Sequence, residues 1–508
     1  MPIIGKLIQK TTEISYRRNA KKGIEYKHQL ESLRILLETA KNTKFGLYHS
    51  FHKFVGKPDL VSSFQKNVPI SNYEDFYENW LKETIAGAKD HTWKGRIKYY
   101  ALSSGTTGSP SKRIPITLEM IRSFQRTSMR QLSILHELKL SDEFYSASIL
   151  TVGGSTKLTK KSKHIEGDLS GILKKHTSLI VTPFTKPGNR ITAIKDWNQK
   201  LALITEKAPK WNIGIIAGIP SWCILLMEKI VEHYKLNNIH EIWPNLEVYV
   251  HGGVFMEPYI ERLEKICGKK IYLLDTYLAS EGYFAYQTSL RANGMKLLLN
   301  NGIFFEFVPF NSDYFDENGE LKNQHEAYTI SQVKEGVDYA LLISTNAGLW
   351  RYLIGDLVRF TNIETYEIKI TGRIKQFLSL CGEHLSLDNI NQALLSVSRE
   401  LKIGISEYTI YADAANSRHK WFIGTSAEID QSKFASKMEE KLCELNDDYA
   451  YVRKYNLNEP IFEFISPQTF YNFLESLGKI GAQNKMPRVL SKVQSEKWLS
   501  FINETSSI

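Results

Sequence analysis

A run of glycine and hydroxyl residues begins at residue 103 and reads Ser103-Ser104-Gly105-Thr106-Thr107-Gly108-Ser109-Pro110. It follows an apolar stretch, residues 97–102, that is typical of a buried strand. Glycine lets backbone N–H groups approach a ligand closely, and the hydroxyls add further hydrogen-bond donors. The composition suits a loop that holds phosphate. It also suits an ordinary surface turn, and the local residues leave both interpretations open.

A helix is predicted after this loop, beginning near Leu118 with Thr117 as its N-cap. Its apolar positions fall broadly on one face, and they are Leu118, Ile121, Met129, Leu132 and Leu135. Lys112 and Arg113 add positive charge between loop and helix. Strand, polar loop and helix in this order is an arrangement with which α/β proteins bind phosphate. The loop lacks the four-residue spacing between glycines and the Gly-Lys-Ser/Thr ending of a Walker A motif.

Composition limits the class of protein. A chain of 508 residues with 42% hydrophobic residues predicts a globular protein of several structural units. The net charge of +10 is modest for this length, and the lysine run at residues 157–163 is more typical of a solvated loop than of a nucleic-acid surface. The four cysteines are far apart, which predicts no zinc site or disulfide framework and favours the cytoplasm. No apolar run reaches the ~20 residues that a membrane span requires.

Three strand predictions end in polar, glycine-bearing segments. Residues 213–217 lead to Gly218, residues 246–250 lead to His251-Gly252-Gly253, and residues 270–274 lead to a segment from Asp275 to Gly282. Ligands of open α/β sheets bind beyond the carboxyl ends of strands, so these segments predict a binding site. The helix after Pro220 carries apolar side chains that suit either the core or an acid-binding pocket, with the core favoured: Trp222, Leu225, Leu226 and Ile230.

The second half of the chain changes character twice. Residues 302–370 are predicted to be β-rich, and Asp356 within them could accept hydrogen bonds from ribose or pair with Arg351 or Arg359. Beyond about residue 371 the pattern predicts a small α+β domain, with strands at 377–381 and 408–412 and a helix after Asp430. A basic, glycine-containing segment at 478–488 then suggests a mobile loop that carries a cation, or an exposed turn.

Several of these segments together resemble the motifs of the adenylate-forming superfamily of acyl-CoA synthetases, peptide-synthetase adenylation domains and luciferases. In chain order they are residues 103–108, 277–282, 352–356 and 372–375. More narrowly, residues 103–115 and 483–488 resemble the auxin-responsive acyl-acid amido synthetases, the Gretchen Hagen family, and we expect a bacterial member. The motifs span residues 99–488, which is nearly the whole chain.

The resemblance implies an α/β fold in which a large N-terminal domain (1–370) combines α/β sheets and a β-barrel. A hinge (371–376) then joins it to a smaller, mobile α+β C-terminal domain (377–508). It also implies a two-step reaction with ATP and Mg²⁺. A carboxylic acid first attacks the α-phosphorus of ATP to give acyl-AMP and pyrophosphate. An amino acid then attacks the acyl carbon, and AMP leaves.

The resemblance further implies roles for individual residues. Tyr277 would pack against adenine, Asp356 with Arg373 would hold ribose, and Glu281 would hold Mg²⁺. Lys485 would bridge the α-phosphate and the carboxylate of the acid. The other residues expected at the nucleotide are Ser103, Ser104, Gly105, Thr106, Thr107, Gly108, Gly252, Gly253 and Ser280.

Two departures and two alternatives stay open at this point. Leu278 stands where the family motif has glycine, and Lys479 competes with Lys485 for the catalytic position. Acyl-CoA ligation shares the first step and differs only in its acceptor. A non-catalytic nucleotide-binding protein, or a basic protein that binds nucleic acid, is the alternative from another class. The identities of the acid and of the amine, and the oligomeric state, are left open by the sequence.

Overall fold

The structure is a computed structural model, and it describes residues 25–103, 111–138, 140–177, 181–316, 319–374, 378, 380–381, 383, 385–478, 481 and 485–505. Helices dominate the first described segment, as the sequence predicts. They are α1 (Glu25–Ala40), α2 (Lys44–Tyr48), α3 (Leu60–Asn67), α4 (Tyr73–Phe76) and α5 (Lys82–Ile85), with a 3₁₀ turn at Phe51–Lys53 and a π-helical turn at Tyr77–Leu81.

Strands and helices follow between residues 99 and 373, and β9 to β15 come one after another. In chain order they are β1 (Tyr99–Ser103), β2 (Lys112–Ile116), α6 (Leu118–Gln131), β3 (Ser148–Val152), β4 (Thr159–Lys160), β5 (Ile165–Gly167), α7 (Leu169–Lys175), β6 (Thr185–Lys186), α8 (Asn189–Thr192), α9 (Trp197–Lys207), β7 (Ile213–Gly218), α10 (Pro220–Tyr234), β8 (Val248–Gly252), α11 (Glu257–Ile266), β9 (Tyr272–Ala279), β10 (Gly282–Tyr286), β11 (Met295–Leu297), β12 (Ile303–Pro309), β13 (Asp338–Thr345), β14 (Tyr352–Asn362) and β15 (Glu367–Arg373). Short 3₁₀ helices lie at Leu132–Glu137, Phe144–Ser146, Thr182–Phe184, Ala208–Lys210 and Ile239–Glu241.

The C-terminal part is a smaller α+β unit. It contains α12 (Leu387–Leu401), β16 (Glu407–Asp413), a 3₁₀ turn (Ala414–Asn416), β17 (Arg418–Gly424), α13 (Gln431–Leu445), α14 (Asp447–Tyr455), β18 (Ile461–Ile465), α15 (Pro467–Ser476), β19 (Val489–Leu490) and α16 (Lys492–Thr505). Its sheet has the order β18-β17-β16-β19. The predicted helix after Asp430 is confirmed, with Phe434, Met438 and Leu442 buried on one face.

One large sheet organises the rest of the chain. Among the described residues, eleven strands pair in the order β12-β13-β14-β15-β11-β10-β9-β8-β7-β3-β6. Strands β9, β8, β7, β3 and β6 are parallel neighbours, whereas β12 to β10 pair antiparallel. The family resemblance implied a β-barrel in the N-terminal domain. In the structure, the predicted β-rich segment pairs with the parallel strands in one continuous sheet. The mixed α/β class, with a large N-terminal and a smaller C-terminal part, is confirmed.

Apolar cores cover both halves of this sheet. The N-terminal helices α1 to α3 pack against the antiparallel half, where every residue of β12 is buried. Helices α9 to α11 cover the parallel half. Trp222, Leu226 and Ile230 belong to that second core, as favoured from the sequence. Within the part of the chain that the structure describes, no helix is both long and apolar enough to cross a membrane.

Three details differ from the sequence predictions. The glycine-rich run joins two antiparallel strands, because Ser103 of β1 pairs with Lys112 of β2, and helix α6 begins only after β2. Leu118 and Met129 of α6 are more than half exposed, so the predicted apolar face was wrong at both positions. The buried face instead contains Met120, Ile121, Ser123, Phe124, Thr127 and Gln131, because α6 packs partly through polar contacts that periodicity does not show.

Candidate active site

A cavity of about 1980 Å³ opens at the carboxyl ends of the parallel strands. It collects residues that are hundreds of positions apart in sequence. The predicted site residues along its wall are Ser103, Gly252, Gly253, Tyr277, Ser280, Glu281, Asp356, Arg373 and Lys485. Ser104, Gly105, Thr106, Thr107, Gly108 and Lys479 lie outside the described residues. Ser103 and Lys112, which flank the glycine-rich run, both line the cavity.

Asp356 and Arg373 face each other across two adjacent strands. The register of β14 and β15 pairs the two residues directly, and Arg373 Nε donates a hydrogen bond of 2.7 Å to Asp356 Oδ1. The negative charge of Asp356 raises the pKa of the Arg373 guanidinium, which stays charged. Tyr277 donates its hydroxyl to the second oxygen, Oδ2, at 2.6 Å. Both carboxylate oxygens of Asp356 are thereby held in fixed positions.

The alternative ion pairs of Asp356 do not form. Arg351 instead bonds to Glu306 at 3.0 Å, and Arg359 bonds to Asp338 at 2.7 Å. The partner of Asp356 is decided by how β14 pairs with β15. Sequence spacing does not show strand register, so it could not tell which of the three arginines pairs with Asp356.

Tyr277 occupies a different environment from the one expected. Strand β9 continues through the motif as far as Ala279, so Tyr277 lies within a strand and not in a turn after it. Its side chain is 4% exposed, and its ring packs edge-on against Phe284 at 4.9 Å. Burial, followed by the charge of Asp356, raises the pKa of its hydroxyl well above the ordinary value. The hydroxyl therefore stays protonated and orients Asp356.

Glu281 lies in the tight connection between β9 and β10. Burial raises the pKa of its carboxyl to about 7, and the nearby charge of Asp356 acts in the same direction. The positive charges of Lys112 and Arg373 partly offset these effects. The neighbouring Ser280 hydroxyl is buried, and among the described residues it has no hydrogen-bond partner. A buried carboxyl and an unpartnered hydroxyl at a cavity wall suit a polar ligand.

The donor set fits Mg²⁺ only together with a nucleotide. Mg²⁺ is usually held by one or two carboxylates, waters and substrate phosphates. Within the described residues no cluster of three or more His, Cys, Asp or Glu side chains could form a metal cage of its own. Glu281 supplies a single oxygen-ligand side chain at the cavity wall, which matches the partial protein coordination that Mg²⁺ accepts.

Lys485 reaches the cavity from the C-terminal part. Its ammonium group donates a hydrogen bond to the carbonyl oxygen of Gly253, directly after β8. The side chain is in contact with the water of the open cleft, yet protein atoms surround it. Desolvation by these walls, followed by the positive charge of Arg373, lowers the pKa of Lys485 to about 8. The charges of Arg373 and Asp356 both act on this ammonium, in opposite directions.

Gly252, the last residue of β8, and Gly253, directly after it, have different reasons to be glycine. A side chain at Gly252 would lie 2.4 Å from the carbonyl oxygen of Thr276 on β9, so strand packing excludes one. Gly253 has a φ of +82°, a left-handed conformation that L side chains rarely adopt. That turn directs the Gly253 carbonyl toward Lys485.

Sequence reasoning missed a second polar group in the cavity. His251 and Asp275 are register partners on β8 and β9, with 3.6 Å between His251 Nδ1 and Asp275 Oδ1. Burial lowers the pKa of His251 to about 4 and raises that of Asp275 to about 7. The available signal was that each residue ends an apolar stretch on successive strands. Apolar walls of the cavity come from helix α6, the 3₁₀ helix that follows it, and strands β3, β7 and β8; they include Phe124, Leu132, Ile149, Ile215 and Val250.

Three family models match the chain in order. The GH3 family N-terminal domain matches residues 25–200 and 155–271, the central domain matches 296–373, and the C-terminal domain matches 388–494. The chain belongs to the GH3 family. This confirms the resemblance drawn from the motifs.

Curated GH3 relatives are distant. The chain is 30% identical over 186 residues to indole-3-acetic acid-amido synthetase GH3.2 of Arabidopsis thaliana, which covers 34% of each protein. It is 24% identical over 281 residues to jasmonoyl–L-amino acid synthetase GH3.5 of Oryza sativa subsp. japonica, covering 51% of the chain and 48% of that relative. The matches thus span about a third to a half of the length of these relatives.

Solved structures of low sequence identity share the fold over nearly the full length. A GH3.15 acyl acid amido synthetase aligns with a TM-score of 0.77 at 17% identity, covering 94% of this chain and 93% of the other. A 2-hydroxyisobutyryl-CoA ligase in the postadenylation state aligns with a TM-score of 0.61 at 14% identity, covering 94% and 92%. The chain therefore shares its fold with both of these enzymes.

Proposed function

We propose that this GH3 protein uses ATP to activate a carboxylic acid as acyl-AMP and then joins the acyl group to the amino group of an amino acid. The observation that carries the proposal is the convergence of Glu281, Asp356, Arg373 and Lys485 on one cavity. They come from two strands, a hairpin and the C-terminal part of the chain, and they provide an oxygen ligand, an oriented acceptor and two cations.

Asp356 is the proposed ribose acceptor. Its two oxygens are already oriented by Arg373 and Tyr277, so binding of a diol would cost little further ordering. Carboxylate oxygens have additional lone pairs for ribose hydroxyls. In this proposal Tyr277 acts through Asp356, in addition to lining the cavity.

Lys485 is the proposed cation of the first step. As the carboxylate attacks the α-phosphorus, negative charge accumulates on the phosphoryl oxygens, and a cation fixed in a poorly hydrated cleft stabilises that charge. The Gly253 carbonyl holds the Lys485 ammonium, and the cleft walls remove part of its hydration.

Glu281 is the proposed ligand for Mg²⁺. Ser280, Ser103 and the glycine-rich run are the proposed contacts of the phosphates. Mg²⁺, when bound, would neutralise charge on the phosphates.

The apolar wall of Phe124, Ile149, Ile215 and Val250 is the proposed contact surface for the acid. The four cysteines form no disulfide, which supports a reducing compartment, and we propose the cytoplasm.

The test is ATP–pyrophosphate exchange over a panel of aromatic, alicyclic and fatty acids, with Mg²⁺ present or removed by chelation. We expect exchange with at least one acid, lost on chelation, and an amide by mass spectrometry when amino acids are added. A thioester formed only with coenzyme A would replace the amide step with acyl-CoA ligation. Tight ATP binding without exchange for any acid would indicate a nucleotide-binding protein instead.

A further inference from the structure

Lys485 sits in a short segment that contacts the N-terminal part of the chain at one end and pairs with the C-terminal sheet at the other. The lysine segment, residues 485–490, begins with the bond from Lys485 to the Gly253 carbonyl and ends in strand β19. Three residues after Lys485, Arg488 points into the boundary between the N-terminal and C-terminal parts. Three extended residues span about 10 Å, so the position of Arg488 limits where Lys485 can lie.

Arg488 forms a buried hydrogen-bond network with one residue of the C-terminal part, Glu407, and one of the N-terminal part, Tyr259. Its Nη1 bonds to Glu407 Oε2 of β16 at 2.6 Å, and its Nη2 donates to the hydroxyl of Tyr259 at 3.1 Å. Tyr259, on α11 in the N-terminal part, donates the same hydroxyl to Glu407 Oε1 at 2.6 Å. The guanidinium also lies over the Tyr408 ring, 4.5 Å from its centroid. Tyr259 thus closes a ring of hydrogen bonds that the C-terminal part leaves open.

One short stretch of the N-terminal part, residues 253–259, contacts both Lys485 and Arg488. Gly253 binds Lys485, and Tyr259, six positions later in the first turns of α11, binds Arg488. A second contact lies on the other side of Lys485. Gly481 has a φ of +81°, and a side chain there would lie 2.0 Å from the ring of Trp197 on α9. Close approach to Trp197 therefore requires glycine.

We propose that Tyr259 is a positioning residue, which holds the lysine segment so that Lys485 enters the cavity for the first half-reaction, with Gly481 on Trp197 as the second contact. The inference rests on the proposed function for the identity of that half-reaction. A purely structural role for Tyr259 would be expected to affect every step alike. A positioning role affects only the step in which Lys485 takes part.

Tyr259→Phe tests this with little change in packing, because only the hydroxyl is removed. We expect pyrophosphate exchange to fall about tenfold or more, because the hydrogen bonds of the hydroxyl to two charged groups, Arg488 and Glu407, are lost. ATP affinity and single-turnover transfer from preformed acyl-AMP to the amine should stay at wild-type values. Tyr249→Phe is the matched control, since its buried hydroxyl bonds to Gly218 within the N-terminal part. Unchanged exchange, or equal loss in both half-reactions, would overturn the proposal.

Hydrogen–deuterium exchange of residues 485–491 separates this proposal from the proposed function. With ATP bound, Tyr259→Phe should increase exchange in that peptide by about threefold or more, and Tyr249→Phe should not. This holds whether or not an acid is ever activated. If wild-type enzyme activates no acid, the proposed function fails while the peptide still tests the positioning role. Identical exchange in the wild type and Tyr259→Phe would reject it.

The Gly481 contact is tested by a double-mutant cycle. Gly481→Ala should slow pyrophosphate exchange without slowing acyl transfer. If the added methyl acts through the ring, Trp197→Leu should reduce the penalty of Gly481→Ala. Strictly additive effects of the two substitutions would remove Gly481 and Trp197 from the positioning contacts.

Discussion

Two arginine–carboxylate pairs lie within one region of the large sheet and have opposite characters. Arg351 and Glu306 are 0% and 1% exposed. Arg351 also donates to three backbone carbonyls, those of Gln65, Val68 and His325. Arg373 and Asp356 are 47% and 14% exposed and face the cavity.

The difference shows which pair serves the fold and which is available to a ligand. The guanidinium of Arg351 donates all its hydrogen bonds to acceptors within the protein. Removing this side chain would leave the buried Glu306 carboxyl without its cation. The Arg373–Asp356 pair keeps contact with solvent, so it can exchange water for a ligand at small cost. Identical side-chain chemistry therefore has a structural role in one place and a proposed binding role in the other.

The largest expected effect is on stability, from Arg351→Met. Breaking a buried ion pair by removing one partner costs about 3–5 kcal/mol of unfolding free energy. Arg373→Met, which breaks the cleft pair, should cost less than about 1 kcal/mol. Urea unfolding of both variants measures the contrast. Equal losses would remove the distinction between the two pairs, and Arg351→Met with Glu306→Leu should recover part of the stability.

Lys485→Ala is expected to have the next largest effect, on activity alone. Loss of a cation that stabilises transition-state charge should lower the rate of pyrophosphate exchange about 10²–10³-fold. ATP affinity should change much less, because the charge that Lys485 stabilises develops during the step. Lys420→Ala, which removes a lysine paired with Glu463 outside the cavity, is the matched control. Unchanged exchange would move the catalytic role to Lys479 or elsewhere.

Asp356→Asn compares the acidic members of the two pairs. Loss of a charged acceptor for ribose should weaken ATP binding about 10–100-fold, measured by calorimetry. Glu306→Gln should leave the ATP affinity of the folded protein at the wild-type value, since Glu306 does not line the cavity. Weaker binding in Glu306→Gln alone would reverse the assignment of the two pairs.

The smallest effect concerns pH. Glu281, with a pKa of about 7, must lose its proton to bind Mg²⁺, and Lys485, with a pKa of about 8, must keep its proton. The kcat/KM of adenylation should therefore be highest between these values and fall about tenfold one pH unit beyond either. Lys485→Arg should extend activity to higher pH, because arginine stays charged. A decline at the same alkaline pH in that variant would exclude Lys485 as its cause.

Local sequence predicted much of the framework because strand exits and caps are local features. Thr117 caps α6 as expected, its side chain accepting from the Met120 N–H at 3.1 Å. Two of the predicted strands begin two residues later than expected, at Val248 and Tyr272. Within the predicted strand at 377–381, residues 378, 380 and 381 are described, and Leu378 forms an isolated β-bridge with Leu385. The domain boundaries and the roles of the site residues stay predictions.

The sequence by itself determined the family, the mixed α/β class and the set of residues predicted to lie in one site. It could do so because motif order and glycine-bearing strand ends are carried along the chain. Only the tertiary structure decided that Asp356 pairs with Arg373 and not with Arg351 or Arg359. It also decided that α6 buries a partly polar face and that Tyr259 meets Arg488. These outcomes depend on strand register and on contacts between residues hundreds of positions apart, which local patterns do not encode.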